Sequence, residues 1–183
     1  MLRVCETLPV LICTACLIFC CNACSPDIGQ PLDLDKFSGE WYFAAGTPIN
    51  QSLSRCGRFL VKKTSENAFA IKYTAISHKN NIPITFYVDG TVDGNEVTGT
   101  WQLQGSKRKL GPFKHVIVFA NYRTVLAMAV CSEGTTLRHP EYKFSMIWSR
   151  ERSLPSPILT ELKSKLGTYI NQGEIRLVEH GNC

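Results

Sequence analysis

The stretch FSGEWYFAAG, Phe37 to Gly46, places a glycine two positions before a tryptophan and continues with two more aromatic residues. An apolar leader precedes it, and a long region of alternating apolar and polar residues follows it. The part that Gly39 and Trp41 play is therefore set by the structure that this following region builds.

Alternation of apolar and polar residues is the main signal between Cys56 and Arg150. In FAIKYTAIS, 69–77, aromatic and aliphatic residues occupy every second position, with Lys72 and Thr74 between them. The same period of two recurs in IPITFYVDGTV, EVTGTWQLQ and YKFSMIWSR. This pattern predicts antiparallel strands that each bury one face.

Turn residues separate these strands. Asp-Gly is a strong signal for a tight hairpin, and it occurs twice in VDGTVDGN, 88–95. We predict the hairpin at Asp93-Gly94 and a bulge or bend within the strand at Gly90. Two polar stretches, GSKRKLGP at 105–112 and SEGTTLRHPE at 132–141, are predicted to be connections.

A nearly continuous apolar segment, 112–131, is broken only at Asn121-Tyr122-Arg123. Two strands covered on both faces are expected there, so another element must pack outside the sheet. A helix follows, with Ser156 as its predicted cap and Pro157 in its first turn. Its apolar stripe contains Ile158, Leu159, Leu162 and Leu166. With a last short strand in GEIRLVE, 173–179, the chain is predicted to be all-β: an eight-stranded antiparallel up-and-down barrel with one C-terminal helix outside it.

The first residues differ from the rest of the chain. Residues 1–23 combine Arg3, an apolar run and small residues near Ala23, which predicts a secretory signal peptide followed by one domain at 24–183. A lipoprotein signal ending at Cys24 is an alternative, but CNAC lacks the aliphatic residue that such signals carry three positions earlier. No later stretch is long and apolar enough to cross a bilayer.

Cysteine usage agrees with secretion. Of nine cysteines, five fall in the leader. The remaining four are an even set, which predicts two disulfides with three possible pairings: Cys24, Cys56, Cys131 and Cys183. Asn50-Gln51-Ser52 is a sequon, so Asn50 is a predicted glycosylation site. The net charge of +5 is mild and argues against nucleic acid as a partner.

Three motifs in this order resemble those of the lipocalin family. FSGEWY resembles the family's Gly-x-Trp signature, with Gly39 and Trp41 at the start of the first strand. ANY, 120–122, stands where the family usually has Thr-Asp-Tyr, and Arg150 matches the arginine that closes the last barrel strand. The resemblance spans 24–183 and is greatest to the branch of apolipoprotein D, the insect bilin-binding proteins and the crustacyanins.

The resemblance implies structural roles for these motif residues. Trp41 would plug the closed end of the barrel with Arg150 packed across its ring, and Gly39 would allow the chain to approach closely there. Asn121 and Tyr122 are motif residues too, although Ala120-Asn121 departs from the usual Thr-Asp. The branch also implies the pairings Cys24–Cys131 and Cys56–Cys183.

A closed barrel of this size holds either packed side chains or one small ligand. Alternation predicts the inward residues Phe43, Phe69, Ile71, Tyr73, Phe86, Val88, Trp101, Leu103, His115, Ile117, Phe119, Leu126, Met128, Phe144, Met146 and Trp148. About half of them, nearest Trp41, are expected to be plain core, and all except Phe119, together with Tyr142, are the candidate ligand-binding residues. Tyr73, His115 and Tyr142 are the predicted polar contacts. Such a site suits a retinoid, sterol, fatty acid or tetrapyrrole such as a bilin, and requires no other cofactor.

Two features predict more specific roles. His115, if it points inward, is a candidate to hydrogen-bond a ligand or to ligate haem iron. The basic 106–114 loop, together with His78 and Lys79, is expected at the open end, where it could attract a carboxylate or contact a receptor or an anionic membrane. A solvated loop is the simpler alternative for these charges.

Signals for catalysis are poor. The four histidines have no metal-ligand spacing, and no nucleophile elbow, phosphate-binding loop or carboxylate pair is present. The sequence therefore predicts a secreted lipocalin that binds and carries a small hydrophobic molecule and is not an enzyme. The first alternative is a lipocalin that acts through loop-mediated protein contacts, with a filled cavity. The second is an isomerase-type lipocalin enzyme, which would need a free cysteine inside the barrel.

Overall fold

Nine strands and two helices make up the computed structural model, which describes residues 29–48, 54–132 and 142–183. The helices are α1 (Leu34–Phe37) and α2 (Ser156–Leu166), and a 3₁₀ turn spans Gln172–Glu174. The strands are β1 (Gly39–Gly46), β2 (Arg55–Ser65), β3 (Ala68–Ile76), β4 (Pro83–Asp93), β5 (Glu96–Leu103), β6 (Lys109–Asn121), β7 (Val125–Ser132), β8 (Tyr142–Ser149) and β9 (Arg176–Leu177).

Strands β1 to β8 form a closed antiparallel barrel. Each strand pairs with the next along the chain, and β1 closes the ring by pairing with both β2 and β8. Trp41 lies opposite Phe59 of β2, and Phe43 lies opposite Trp148 of β8. The short β9 pairs with β1 at Ala45, outside the eight-stranded ring. The predicted barrel with its helix outside is confirmed.

The hairpin between β4 and β5 forms where it was predicted. Gly94 has φ +58°, the left-handed conformation that a tight turn at Asp93-Gly94 requires. The bulge predicted at Gly90 is wrong, because β4 keeps an unbroken register with both neighbours there. Glycine is needed for space instead: a Cβ at this position would lie 2.1 Å from the Phe69 ring.

The connection between β5 and β6 is shorter than predicted. β6 begins at Lys109, which pairs with Gln102, and Leu110 pairs with Trp101. The predicted polar connection at 105–112 and the basic 106–114 loop are therefore loop only up to Arg108. Pairing with β5 takes the following residues into the sheet.

Helix α2 covers the outer face of β6 and β7, as the continuous apolar segment predicted. Leu162 and Leu166 are fully buried against a cluster that contains Ala127 and Ile147. The predicted cap at Ser156 is wrong, because the helix begins at Ser156 and its N-cap is Pro155, which offers no side-chain hydrogen bond. None of the described helices is long and apolar enough to span a membrane.

One of the two predicted disulfides is confirmed. Cys56 and Cys183 are bonded, which ties the C-terminal tail to the start of β2. The predicted signal peptide, Cys24 and Asn50 lie outside the described residues, as does most of the polar connection at 132–141. The Cys24–Cys131 bridge, the cleavage near Ala23 and the glycosylation of Asn50 therefore stay predictions.

Candidate functional site in the barrel

The closed end of the barrel is built around Trp41. This side chain is fully buried, and its Nε1 donates a hydrogen bond of 2.8 Å to the carbonyl of Phe37. The guanidinium carbon of Arg150 lies 3.6 Å from the centroid of the Trp41 ring. The predicted packing of the arginine across the tryptophan is thus present, and it is a cation–π contact.

Arg150 also satisfies the backbone around this plug. Its Nη1 donates to the carbonyl of Glu40 at 2.6 Å, and its Nη2 donates to that of Lys36 at 2.9 Å. Its Nε donates to the carbonyl of Tyr122 at 3.1 Å. Gly39, with φ +102°, brings the chain so close that a Cβ there would lie 3.3 Å from Arg150 Nη1. Arg150 and Gly39 therefore hold the end of the barrel together.

Tyr122 fastens the segment that crosses this end. Its hydroxyl accepts a hydrogen bond from the backbone amide of Asp33 at 2.8 Å and lies 3.3 Å from the carbonyl of Pro31, to which it donates. Asn121 Oδ1 accepts from the amide of Arg123 at 3.2 Å within the β6–β7 turn. These contacts give both motif residues local structural roles and leave the barrel interior to other side chains.

Most of the predicted inward residues do lie in the barrel interior. The interior cluster contains Phe43, Phe69, Ile71, Tyr73, Val88, Ile117, Leu126, Met128, Phe144, Met146 and Trp148, with Phe86 and Trp101 partly buried against it. His115 is buried as well. Their ligand-binding roles remain predictions.

One prediction of an inward residue is wrong, and two further residues lie at the rim. Leu103 and Tyr142 are each 40% exposed, because they lie at strand ends on the rim of the barrel, where the Tyr142 ring still contacts that of Phe113 at 6.1 Å. Phe119 packs outside with the α2 cluster, where the Lys165 ammonium lies 5.5 Å from its ring. A β-bulge between Ile117 and Phe119 shifts the register, and this reverses the faces of the residues that follow.

Stacked aromatic rings fill the centre of the barrel. Phe59 stacks on Trp148 with their centroids 3.8 Å apart, and on Tyr73 at 4.6 Å. Phe37, from α1, also stacks on Trp148, with their centroids 5.5 Å apart. Trp101 meets Tyr73 edge to face at 6.4 Å. These contacts join the closed end to the upper part of the barrel, so little free space remains between them.

The described residues enclose a small cavity that Trp101 helps to line. The volume open to the centre of a water molecule is about 10 Å³, which is about what one water molecule needs. The residues that line it are Leu32, Phe37, Phe69, Ile71, Val88, Val97, Trp101, His115, Ile117, Met128 and Trp148. Among them, Leu32, Phe37 and Val97 were not predicted. Val97 alternates with Trp101 in the sequence, whereas Leu32 and Phe37 precede the first strand, where a period of two gives no signal.

Three polar atoms on residues that line this cavity have no hydrogen-bond partner among the described residues. They are Trp101 Nε1, Trp148 Nε1 and His115 Nδ1, and all three are buried. Burial lowers the pKa of His115 to about 4, so its imidazole is neutral at physiological pH. The wall of the cavity itself is apolar, and these three polar atoms belong to residues that border it.

Further polar groups lie nearer the open end. The hydroxyls of Tyr73 and Ser54 are 2.6 Å apart, and burial raises the pKa of Tyr73 to about 12, so the phenol stays protonated. Around the rim, His78, Lys79, Lys107 and Arg108 are exposed, as predicted. No group of three or more metal-ligating side chains occurs in the described parts of the chain.

Comparisons with known proteins agree with this architecture. No family model and no curated protein matches the sequence. The solved structures that are similar include the tryptamine complex of the amine-binding protein of Rhodnius prolixus, at 15% identity over 84% of each chain with a TM-score of 0.67.

Two further solved structures are similar as well. Lobster apocrustacyanin A1 is 16% identical over 81% of this chain and 79% of its own, with a TM-score of 0.63. Insecticyanin of the tobacco hornworm Manduca sexta is 15% identical over 86% of both chains, also at 0.63. Together with the Trp41–Arg150 plug and the closed eight-stranded barrel, these similarities identify the fold: the chain has the lipocalin fold.

Proposed function

We propose that the chain is a secreted lipocalin that binds and carries a small hydrophobic molecule in its barrel, and that it acts by binding and not by catalysis. The observation that supports this most strongly is a set of three buried polar atoms without partners among the described residues, all on side chains that border one apolar cavity. The sequence motifs and the similarity to the amine-binding protein of Rhodnius prolixus, which was solved with tryptamine, also support it.

The energetics of these atoms favour a ligand. A buried donor or acceptor that lacks a partner costs about 1–3 kcal/mol, and a barrel that only needed filling could use phenylalanine or leucine at the same positions at no such cost. A molecule that carries a hydrogen-bond acceptor would satisfy the Trp101 and Trp148 donors. Specific binding of such a molecule thus accounts for the polar groups better than simple packing does.

The lining also restricts the chemistry of the ligand. No carboxylate is among the described cavity residues, and His115 is neutral, so a cationic amine would meet aromatic faces there but no counter-ion. The two indole N–H groups prefer a carbonyl, hydroxyl or carboxylate oxygen. We therefore propose a neutral or anionic hydrophobic ligand, which includes retinoids, sterols, fatty acids and bilins. Coordination of haem iron by His115 is a variant of this proposal.

Binding in this cavity requires that side chains move, because a volume of about 10 Å³ holds none of these ligands. Trp101 and Phe86 are only partly buried and pack against each other at 6.0 Å near the open end. Rotation of these two rings would open a path toward His115. Each CH₂ group that leaves water contributes about 0.8 kcal/mol, which offsets the cost of this rearrangement for a long hydrocarbon chain.

The first experiment is native mass spectrometry with an absorbance spectrum of the chain expressed by secretion. A mass excess that organic extraction removes, or a visible or Soret band, would support a carrier.

The second experiment tests for an exchangeable ligand: retinol and a fluorescent fatty acid are titrated while tryptophan emission is followed. We expect Trp101→Phe to weaken binding roughly fivefold or more through the lost hydrogen bond, and Tyr87→Phe on the outer surface to leave it unchanged. Absence of binding by all of these ligands would contradict the proposal.

A second candidate function is supported by the same small cavity. A filled barrel suits a protein that acts through its loops on another protein, with the stacked rings serving only as a core. Loss of a biological effect on substitution of loop residues, with the Trp101→Phe variant fully active, would favour this candidate. An isomerase-type enzyme is the third candidate, and a titratable thiol in the secreted protein would support it.

A further inference from the structure

The described part of the open rim carries cations that form no salt bridge with a described residue. Two adjoining loops lie in this part, 77–82 between β3 and β4 and 104–108 between β5 and β6. Together with the first residue of β6, they carry four exposed cations that make no salt bridge with any described residue: Lys79, Lys107, Arg108 and Lys109. We call these four residues the basic rim.

At the closed end, several cations are paired with carboxylates. The Lys63 ammonium lies 2.8 Å from Asp35, and the Lys36 ammonium lies 2.9 Å from Asp33. Arg58 is paired with Glu40 as well. Surface cations with carboxylates beside them contribute little net field, whereas an unpaired cluster attracts anions. Exposed cations such as Lys62 and Arg123 near the closed end also lack a salt bridge, but carboxylates are interspersed there, so the net attraction for an anionic partner is stronger at the open end.

Apolar side chains stand among the cations of the rim. Ile82 is 54% exposed and Leu103 is 40% exposed. The two loops lie side by side, since the amide of Gln104 donates to the carbonyl of Thr85 at 2.9 Å and Leu103 pairs with Phe86. The surface thus combines apolar tips with long flexible cations, with no acidic residue in either loop.

We infer that the basic rim, with Ile82 and Leu103, docks the open end of the barrel on an anionic lipid bilayer. The ammonium and guanidinium groups would contact lipid phosphates and carboxylates, while the two apolar side chains enter the interfacial layer. A bilayer fits better than an acidic protein, because four cations without fixed geometry match a fluid array of headgroups and the apolar tips need a place to insert. Docking in this orientation turns the mouth of the barrel toward the membrane and does not depend on the identity of any ligand.

Co-sedimentation of the secreted chain with vesicles tests this inference. Vesicles of phosphatidylcholine alone are compared with vesicles that contain about one-third phosphatidylserine. We expect binding to the anionic vesicles only, weakened as the salt is raised from about 0.1 M to 0.5 M. Equal binding to both vesicle types, or to neither, would overturn the inference.

Charge-matched variants separate the rim from the overall charge of the protein. In the rim variant, Lys107, Arg108 and Lys109 are replaced by glutamine; in the control variant, the exposed Lys62, Lys72 and Arg123 are replaced instead. A cation near an anionic membrane contributes roughly fivefold to binding, so the rim variant is expected to bind on the order of 100-fold more weakly. The control should lose much less. Equal losses in both variants would show an effect of net charge and would overturn the inference.

A separate double variant tests how much the two apolar side chains contribute to vesicle binding. Ile82→Ser with Leu103→Ser should weaken vesicle binding several-fold and leave its salt dependence unchanged, because apolar insertion is not screened by ions. Binding of the unmodified chain to soluble polyglutamate as strongly as to anionic vesicles would indicate an acidic protein as the partner and would overturn the membrane proposal.

Discussion

The two ends of the barrel differ in how their basic side chains are used. At the closed end, Arg150 is half-buried and donates hydrogen bonds to backbone carbonyls of α1, β1 and the β6–β7 turn. At the open end, Arg108 is exposed and pairs with no carboxylate among the described residues. An arginine therefore stabilises the fold at the closed end, whereas an arginine at the open end remains available to a partner. Substitutions can therefore separate stability from binding, one end at a time.

The largest expected effect is at the closed end. Arg150→Ala removes the cation–π contact with Trp41 and leaves several carbonyls without donors, so the free energy of unfolding should fall by about 3–5 kcal/mol. Arg150→Lys keeps the charge but loses the planar fork of donors, and an intermediate loss is expected. Urea denaturation followed by tryptophan emission measures both. A loss below 1 kcal/mol for the alanine variant would mean that Arg150 does not hold the closed end.

The next largest effect concerns the interior between the two ends. His115 in the unfolded chain takes up a proton near pH 6.5, whereas burial lowers its pKa in the folded chain to about 4. The unfolded state therefore binds more protons between these values, and the free energy of unfolding should fall by roughly 3 kcal/mol as the pH drops from 6.5 to 4. Above pH 6.5 this contribution is constant.

Two histidine variants test whether His115 causes this pH dependence of stability. His115→Gln should flatten the stability profile between pH 6.5 and 4, since glutamine does not titrate. His78→Gln is the matched control, because His78 is exposed in the rim loop. If His115→Gln and the unmodified chain lose stability in parallel on acidification, another group is responsible.

A smaller effect is expected at Gly90, in the lower half of the barrel. Gly90→Ala places a methyl group against the Phe69 ring, where the Cβ would lie 2.1 Å away, and should cost about 2 kcal/mol. Gly181→Ala is the control, since a Cβ there meets nothing within 4 Å. Phe69→Leu in the Gly90→Ala background should recover part of the loss. An additive loss in this double variant would contradict the steric explanation.

The smallest effect on stability is expected at the open end. The rim variant, with glutamine at Lys107, Arg108 and Lys109, should have the same urea midpoint as the unmodified chain, because exposed cations without partners contribute little to folding. Its vesicle binding is expected to change strongly at the same time. A lower midpoint in the rim variant would show that the two ends are not as independent as this comparison holds.

The barrel could be predicted from the sequence because each strand buries one face, which produces an apolar residue at every second position. The prediction of inward residues was wrong where this alternation is interrupted. The bulge after Ile117 turns Phe119 outward, and alternation cannot mark an inserted residue inside a continuous apolar run. Leu103 alternates correctly, yet it lies at a strand end where the rim meets solvent.

The state of the interior could not be predicted for a different reason. Whether a barrel is open or filled depends on the rotamers of Phe59, Tyr73 and Trp148 and on Phe37, which enters from α1. These contacts join residues that are far apart in the chain. Whether His115 and the two tryptophans find hydrogen-bond partners depends on the same packing, so no local sequence pattern predicts it.

The ninth strand has a consequence for how copies of this chain behave toward one another. β1 pairs with β2 only from Gly39 to Tyr42, and β9 then pairs with β1 at Ala45 and Gly46. The tail continues across the gap, where the amide of Cys56 donates to the carbonyl of Glu179 at 2.8 Å. β9 thus covers the gap between the first two strands. Without it, two strand edges would be open to edge-to-edge pairing with a second molecule. We therefore expect that reduction of the Cys56–Cys183 bond, which loosens the tail, increases self-association.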